Sequence, residues 1–164
     1  MARLLIVEDD GALRSDIADK LGDWGHEVFQ ASDGVLGLKM IKDVRPDLAL
    51  CDICMPSESG FNLAKRIREN TFEYAHMAII FMSSLSEPRA MAYGAHCGGD
   101  DYIVKPVDYE LLHLKITLHL QKKYGLVARF ANLIVNQTEP RAVTSLERRS
   151  QLNLPRPFGR RKTD

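Results

Sequence analysis

Residues with the chemistry to bind a metal and a phosphoryl group follow directly on short apolar runs of this chain. Carboxylates at neighbouring strand ends would make a hard-oxygen site of the kind that Mg²⁺ prefers, with water in the remaining positions. A lysine opposite them would pair with a carboxylate or hold a phosphoryl oxygen, to which a serine hydroxyl can also donate. The residues concerned are Glu8, Asp9, Asp10, Asp52, Ser83, Ser84 and Lys105.

The same residues could instead be ordinary loop residues, because segments that follow strands run over the protein surface and are polar. Carboxylates held close together repel one another, so an acidic pocket needs compensation. A divalent cation together with Lys105 would supply it. We favour the site because so many chemically suited residues occur in register, each directly after an apolar run.

Five candidate strands would position these residues. Continuous apolar runs at 4–7, 48–51 and 78–82 are typical of strands buried on both faces of a parallel sheet. Residues 27–31 mix polar and apolar side chains, which favours an edge strand, and residues 102–104 form a short strand before Lys105.

Helical periodicity fills the segments between the strands and gives one apolar stripe per helix. The (βα)5 order and right-handed crossovers favour an open parallel sheet with helices on both faces. Ligands bind such sheets outside the carboxyl ends of the strands. The stripes comprise Leu13, Ile17 and Leu21; Val35, Leu38 and Ile41; Leu63 and Ile67; Met91; and Leu111, Leu114 and Leu118.

The length and composition indicate one globular domain with a tail. The chain has 164 residues, of which 45% are apolar and 27% charged. The first apolar run has only four residues and ends in acids, so it fits neither a signal peptide nor a membrane span. Three cysteines suit a reducing compartment, and we expect a cytoplasmic protein.

Four blocks of this sequence resemble the signature blocks of bacterial two-component response-regulator receiver domains, and we expect the stand-alone type because about 40 residues after Tyr124 are too few for an output domain. They occur in the family's order and at similar spacing. The resemblance implies a flavodoxin-like α/β fold, a doubly wound parallel five-stranded sheet with helices on both faces. The blocks are residues 4–10, 47–56 with Gly60 beyond, 79–84 and 98–106, within a match over residues 2–124.

The resemblance implies that Asp52 is the phosphoacceptor. It would take the phosphoryl group from a phosphohistidine on a sensor histidine kinase or a histidine phosphotransfer protein. Asp9, Asp52 and the backbone carbonyl of Cys54 would bind Mg²⁺, and Glu8 would act through a metal-bound water. The chemistry would consist of positioning and charge neutralisation.

The resemblance also implies a switch next to this site. Ser83 and Lys105 would each hold a phosphoryl oxygen, and Ser83 would move inward when Asp52 is phosphorylated. Tyr102 would then rotate from an exposed to a buried position, and a downstream protein target would bind the altered face. The Lys105–Pro106 bond is expected to be cis.

The implied protein is a phosphoacceptor switch that catalyses only its own phosphorylation and dephosphorylation, and is not a turnover enzyme. The alternative is a phosphorelay intermediate that passes its phosphoryl group to a histidine on another protein. The sequence does not separate these two functions.

Two other chemistries are disfavoured by the residues around Asp52. Phosphatases of the haloacid-dehalogenase type need a second aspartate two residues after the nucleophile as general acid, and this chain has Cys54 there. Cys51 and Cys54 form a C-x-x-C, but a redox or zinc site needs a helix start or two further ligands.

We divide the chain into a receiver domain at 1–124, an amphipathic helical extension at 125–136 and a basic tail at 137–164 that should be disordered. The tail would be either inert or a basic docking arm for an acidic protein or nucleic acid, and we favour the inert tail. The extension would pack back on the domain or form a homodimer or partner interface. The formal net charge is zero, which argues against nucleic acid as a partner. The stripe of the extension comprises Leu126, Phe130, Leu133 and Ile134.

Overall fold

The computed structural model describes residues 1–69, 74 and 76–138, with side chains up to residue 125. Strands and helices alternate along it in the predicted (βα)5 order. The strands are β1 (Arg3–Val7), β2 (Glu27–Ala31), β3 (Leu48–Asp52), β4 (Ala78–Ser83) and β5 (Asp101–Val104). The helices are α1 (Gly11–Asp23), α2 (Gly34–Val44), α3 (Gly60–Glu69), α4 (Pro88–His96) and α5 (Tyr109–Thr138).

All five strands are parallel and lie in the order β2-β1-β3-β4-β5. The expected edge strand at 27–31 therefore is an edge. Every residue of the central strand β3 is buried, which explains its unbroken apolar run up to Asp52. Within the described residues, no helix has the length and apolar character needed to cross a bilayer.

Alternate side chains of the sheet pack on opposite faces, as the twofold repeat of a strand requires. Leu5 and Val7 of β1 belong to a core that includes α2 and α3, whereas Leu4 and Ile6 belong to a core with α1 and α5. The doubly wound α/β fold is thus confirmed.

The buried face of α5 is not the stripe that the sequence suggested. Leu112, Ile116 and Leu120 face the core. The predicted stripe is exposed, with Leu111 at 40%, Leu114 at 56% and Leu118 at 47% of full accessibility. Both sets have helical spacing, so periodicity alone could not choose between them.

Ion pairs fix the rotation of α5 about its axis. Lys115 pairs with Asp101 at the start of β5, and the His119 Nε2 lies 3.1 Å from the other oxygen of the same carboxylate. One turn further on, Lys123 pairs with Asp47. These polar contacts flank the buried face and therefore turn the three exposed leucines outward.

Two further residues of the predicted stripes lie at the surface. Val35 on α2 and Met91 on α4 are exposed. Helix α4 instead rests on the sheet through Gly94, where an added Cβ would lie 3.1 Å from the Phe81 ring. A glycine at this point lets the helix backbone approach β4 closely.

The continuation of α5 runs to Thr138 without a break. The chain divides into a unit Met1–Val127 and a unit Ala128–Asp164, and the sheet belongs to the first. The side chains of the amphipathic stripe expected at 126–134 lie outside the described residues. Residues 139–164, which form most of the expected basic tail, also lie outside them.

Candidate functional site

Three carboxylates meet at the carboxyl end of the sheet. Glu8 and Asp9 follow β1, and Asp52 is the last residue of the neighbouring strand β3. One oxygen from each lies within 4.8 Å of the others. Glu8 and Asp52 are almost completely buried, whereas Asp9 is exposed. The structure therefore brings together three of the residues expected to form a metal site.

Lys105 reaches this cluster from the end of β5. Its Nζ lies 2.7 Å from Glu8 Oε2 and 3.2 Å from Asp52 Oδ2. The Lys105 backbone N–H donates to the Ser83 carbonyl at 2.8 Å, and the Lys105–Pro106 peptide bond is cis, as expected. One ammonium group thus contacts two buried carboxylates.

Burial and the contact between Glu8 and Lys105 have opposite effects on the pKa of each group. Loss of solvent raises the pKa of Glu8, and the Asp52 charge adds to the rise, although the Lys105 hydrogen bond opposes it. Burial would lower the pKa of Lys105, but its contacts with Glu8 and Asp52 outweigh that effect and raise the pKa. Two buried carboxylates face one ammonium group here, so an additional cation would complement the acidic side of the site.

Asp10, the third acid after β1, has a different role. The Asp10 side chain accepts hydrogen bonds from the Ala12 and Leu13 backbone N–H groups at 2.9 and 3.1 Å, so it caps α1. Its own N–H donates to Glu8 Oε1 at 3.3 Å. Asp10 thereby orients Glu8 without joining the carboxylate cluster.

The loop after β3 holds Asp52 from the other side. The Cys54 N–H donates to Asp52 Oδ1 at 3.2 Å, and the Cys54 side chain is exposed. The Ile53 N–H donates to the Met82 carbonyl at 3.1 Å, which ties the loop to β4. Cys51 is buried, and burial raises the pKa of its thiol, which disfavours the redox interpretation of the C-x-x-C.

Ser83 and Tyr102 share a contact that the sequence did not reveal. The Leu85 N–H donates to Ser83 Oγ at 3.1 Å, and the Tyr102 hydroxyl donates to the Leu85 carbonyl at 2.6 Å. Tyr102 is buried, which is the position expected for it when Asp52 is phosphorylated. Ser83 is fully buried beside the carboxyl end of β3.

The donor set suits a hard divalent cation. Glu8, Asp9 and Asp52 offer only carboxylate oxygens, which Mg²⁺ prefers over nitrogen or sulfur. Within the described part of the chain, this is the one group of three or more acidic, histidine or cysteine residues close enough to share an ion. The residues present therefore fit the expected magnesium ion.

Replacing Glu8 by glutamine should stabilise the metal-free protein increasingly as the pH rises. The folded-state pKa of Glu8 is raised above its ordinary value of 4.5, so folding favours the protonated form. That contribution is present below pH 4.5 and is lost as the pH rises through the folded pKa. Urea unfolding with a chelator present should show the free energy of unfolding of the variant increasing relative to wild type as the pH rises above 4.5.

Asp43→Asn is the matched control, since Asp43 is an exposed acid on α2. It exchanges a carboxylate for an amide outside the carboxylate cluster, and the Glu8→Gln variant is compared with it at each pH. A difference for Glu8→Gln that shrinks with rising pH would show that the Lys105 ion pair outweighs the burial cost of Glu8.

Comparison with known proteins gives consistent results. A family model described as the response regulator receiver domain matches residues 4–117. The transcriptional regulatory protein AfsQ1 of Streptomyces coelicolor is 32% identical over 141 residues, which cover 84% of this chain and 61% of AfsQ1. The crystal structure of the chemotaxis protein CheY4 of Vibrio cholerae superposes with a TM-score of 0.68 at 29% identity, covering 71% of this chain and 97% of that one.

Several relatives extend well beyond the matched region. A protein of Synechocystis, named DNA-binding dual master transcriptional regulator RpaA, is 30% identical over 122 residues, or 74% of this chain and 50% of its own length. This chain thus spans about half the length of such relatives. AfsQ1 and RpaA are named as transcriptional regulators, so the comparison does not support our expectation that nucleic acid is excluded as a partner.

Proposed function

This chain belongs to the response regulator receiver domain family, and we propose that it is a phosphoacceptor switch of a two-component system. Asp52 would accept a phosphoryl group from a sensor histidine kinase or a histidine phosphotransfer protein. Receivers of this family act as switches and are not turnover enzymes. A cytoplasmic location and a receiver unit at 1–124 are part of this proposal.

The observation that carries the proposal is the contact of Lys105 with both Asp52 and Glu8. The ammonium group lies 3.2 Å from the proposed nucleophile, where it can also pair with an oxygen of an incoming phosphoryl group. In the transfer, an Asp52 oxygen forms a bond to phosphorus as the bond from phosphorus to the donor histidine nitrogen breaks. Lys105 would neutralise charge on the transferring group.

Asp9, Asp52 and the Cys54 carbonyl would hold Mg²⁺, with Glu8 contacting it through water. When bound, the ion would neutralise the negative charge that the nucleophile and the phosphoryl oxygens bring together. The same groups would support hydrolysis of the aspartyl phosphate, so that the protein catalyses its own phosphorylation and dephosphorylation.

The output would pass through Ser83 and Tyr102. The Ser83 hydroxyl would turn to donate to a phosphoryl oxygen on Asp52, and this movement would take its Oγ away from the Leu85 N–H, from which it now accepts. Loss of that bond would alter the loop before α4, while Tyr102 retains its bond to the Leu85 carbonyl. A downstream protein target would then distinguish the two loop states.

The direct test is to incubate the protein with acetyl phosphate and Mg²⁺ and to measure its intact mass. We expect a gain of one phosphoryl group that a chelator prevents. Reduction with borohydride converts a phosphoaspartate to homoserine, so peptide mapping should then find homoserine at position 52 alone. Homoserine at another position, or a gain that is unaffected by the chelator, would refute the proposed site.

The relatives bear on the signalling step after phosphorylation. AfsQ1 and RpaA are named as transcriptional regulators, which favours a switch with an output partner over a relay intermediate. Incubating the phosphorylated protein with a histidine phosphotransfer protein tests the relay, because rapid loss of phosphate to that histidine would favour it.

A further inference from the structure

Arg14 lies in the first turns of α1, beside the carboxylate cluster but outside it. Its Nη1 donates a 2.6 Å hydrogen bond to the Glu8 carbonyl, and the side chain is half-buried. The guanidinium also lies along Gly11, 3.6 Å from where a Cβ of that residue would be. The Arg14 N–H donates to the Asp10 carbonyl at 2.9 Å, so backbone and side chain both hold the turn after β1.

The accepting carbonyl belongs to the peptide that joins Glu8 to Asp9. Because a peptide unit is planar, fixing its carbonyl oxygen also restricts the backbone orientation of Glu8 and Asp9 on either side of it. The Glu8 N–H is already fixed by the Ala31 carbonyl at 3.1 Å. Arg14 supplies the corresponding restraint on the carbonyl side, next to Asp9.

We propose that Arg14 is a positioning residue of the divalent-cation site, which fixes the peptide between Glu8 and Asp9 so that both carboxylates point at one ion. The inference rests on the proposed function, since it assumes that these carboxylates bind Mg²⁺. Arg14 acts through Glu8 and Asp9. Groups that orient metal ligands in this way commonly change affinity by about 10-fold to 100-fold when they are removed.

The charge of Arg14 and its hydrogen bond to the Glu8 carbonyl have opposite effects on Mg²⁺ affinity, which makes the proposal testable. A guanidinium near the site repels a divalent cation, so removing its charge alone should strengthen Mg²⁺ binding. Releasing the Glu8–Asp9 peptide should weaken binding because the carboxylates must then be ordered when the ion binds. The sign of the change therefore separates the two roles.

The experiment is calorimetric titration of the full chain with Mg²⁺ for wild type, Arg14→Gln, Arg14→Lys and Lys20→Gln. We expect Arg14→Gln to bind about 10-fold more weakly. Arg14→Lys should recover part of the loss, since a lysine can donate to the same carbonyl. Lys20 is an exposed cation on the same helix, and its variant should bind as tightly as wild type or slightly more tightly.

A second measurement uses the metal-free protein. Backbone amide exchange at Asp9 and Asp10 should be faster in Arg14→Gln than in Lys20→Gln, while the thermal unfolding midpoint identifies any global loss of stability. Equal or tighter Mg²⁺ binding by Arg14→Gln would overturn the inference. If wild type itself neither bound Mg²⁺ nor gained a phosphoryl group, the proposed function would fail together with it.

Discussion

Replacing Asp52 by asparagine should reduce phosphoryl uptake from acetyl phosphate by more than about a thousandfold, as loss of a nucleophile does in enzymes that use one. The amide has nearly the same shape but lacks the charged oxygen that would attack phosphorus. The substitution also removes one of the two carboxylates that contact Lys105. Intact mass measured over time, with Mg²⁺ present, checks the result.

The fold should survive this change, because the variant removes a buried carboxylate from a cluster that has more carboxylates than ammonium groups. Circular dichroism and urea unfolding provide that check. Asp43→Asn, with an exposed acid exchanged in the same way, should be phosphorylated as wild type is. Substantial phosphate on the Asp52 variant would mean that another residue is the acceptor.

Replacing Gly60 by alanine should destabilise the fold by about 3 kcal/mol and slow phosphorylation. An added Cβ would lie 2.3 Å from the Asp52 carbonyl oxygen and 3.0 Å from Cys51 Sγ. Both neighbours belong to the buried end of β3, so they cannot move without displacing Asp52 or α3. Urea unfolding and the rate of phosphoryl uptake measure the two effects.

Gly22→Ala is the matched control for this variant. Gly22 lies in α1, and an added Cβ would meet no atom within 4 Å. Alanine should therefore stabilise the protein by about 0.5 to 1 kcal/mol through its higher helix propensity. If both substitutions had the same effect on stability, close packing at Gly60 would not be the cause.

Much of the fold could be predicted because each buried strand is an unbroken apolar run. The runs ending at Val7, Cys51 and Met82 fitted strands buried on both faces, and the rule for parallel sheets then placed the acids and Lys105 at one edge. The predicted metal and phosphoryl residues Glu8, Asp9, Asp52 and Lys105 do lie together. Their roles stay predictions.

The features that could not be predicted depend on backbone atoms or on a choice between two apolar stripes with the same helical spacing. Arg14 and Tyr102 bond to main-chain carbonyls, which every residue possesses, so residue types gave no signal for either contact. The rotation of α5 depended on Asp101, whose contacts with Lys115 and His119, 14 and 18 residues away, no local period reveals. Such contacts emerge only after the chain has folded.

The two bonds at Leu85 give that residue an unusual position in the molecule. Its N–H is held by Ser83 and its carbonyl by Tyr102, so one residue is tethered to two neighbouring strands through two hydroxyl groups. Release of the Ser83 bond alone would leave the loop attached to β5 through Tyr102, so the loop would pivot at Leu85 without leaving the sheet. A spectroscopic probe on Leu85 would therefore report the two loop states directly.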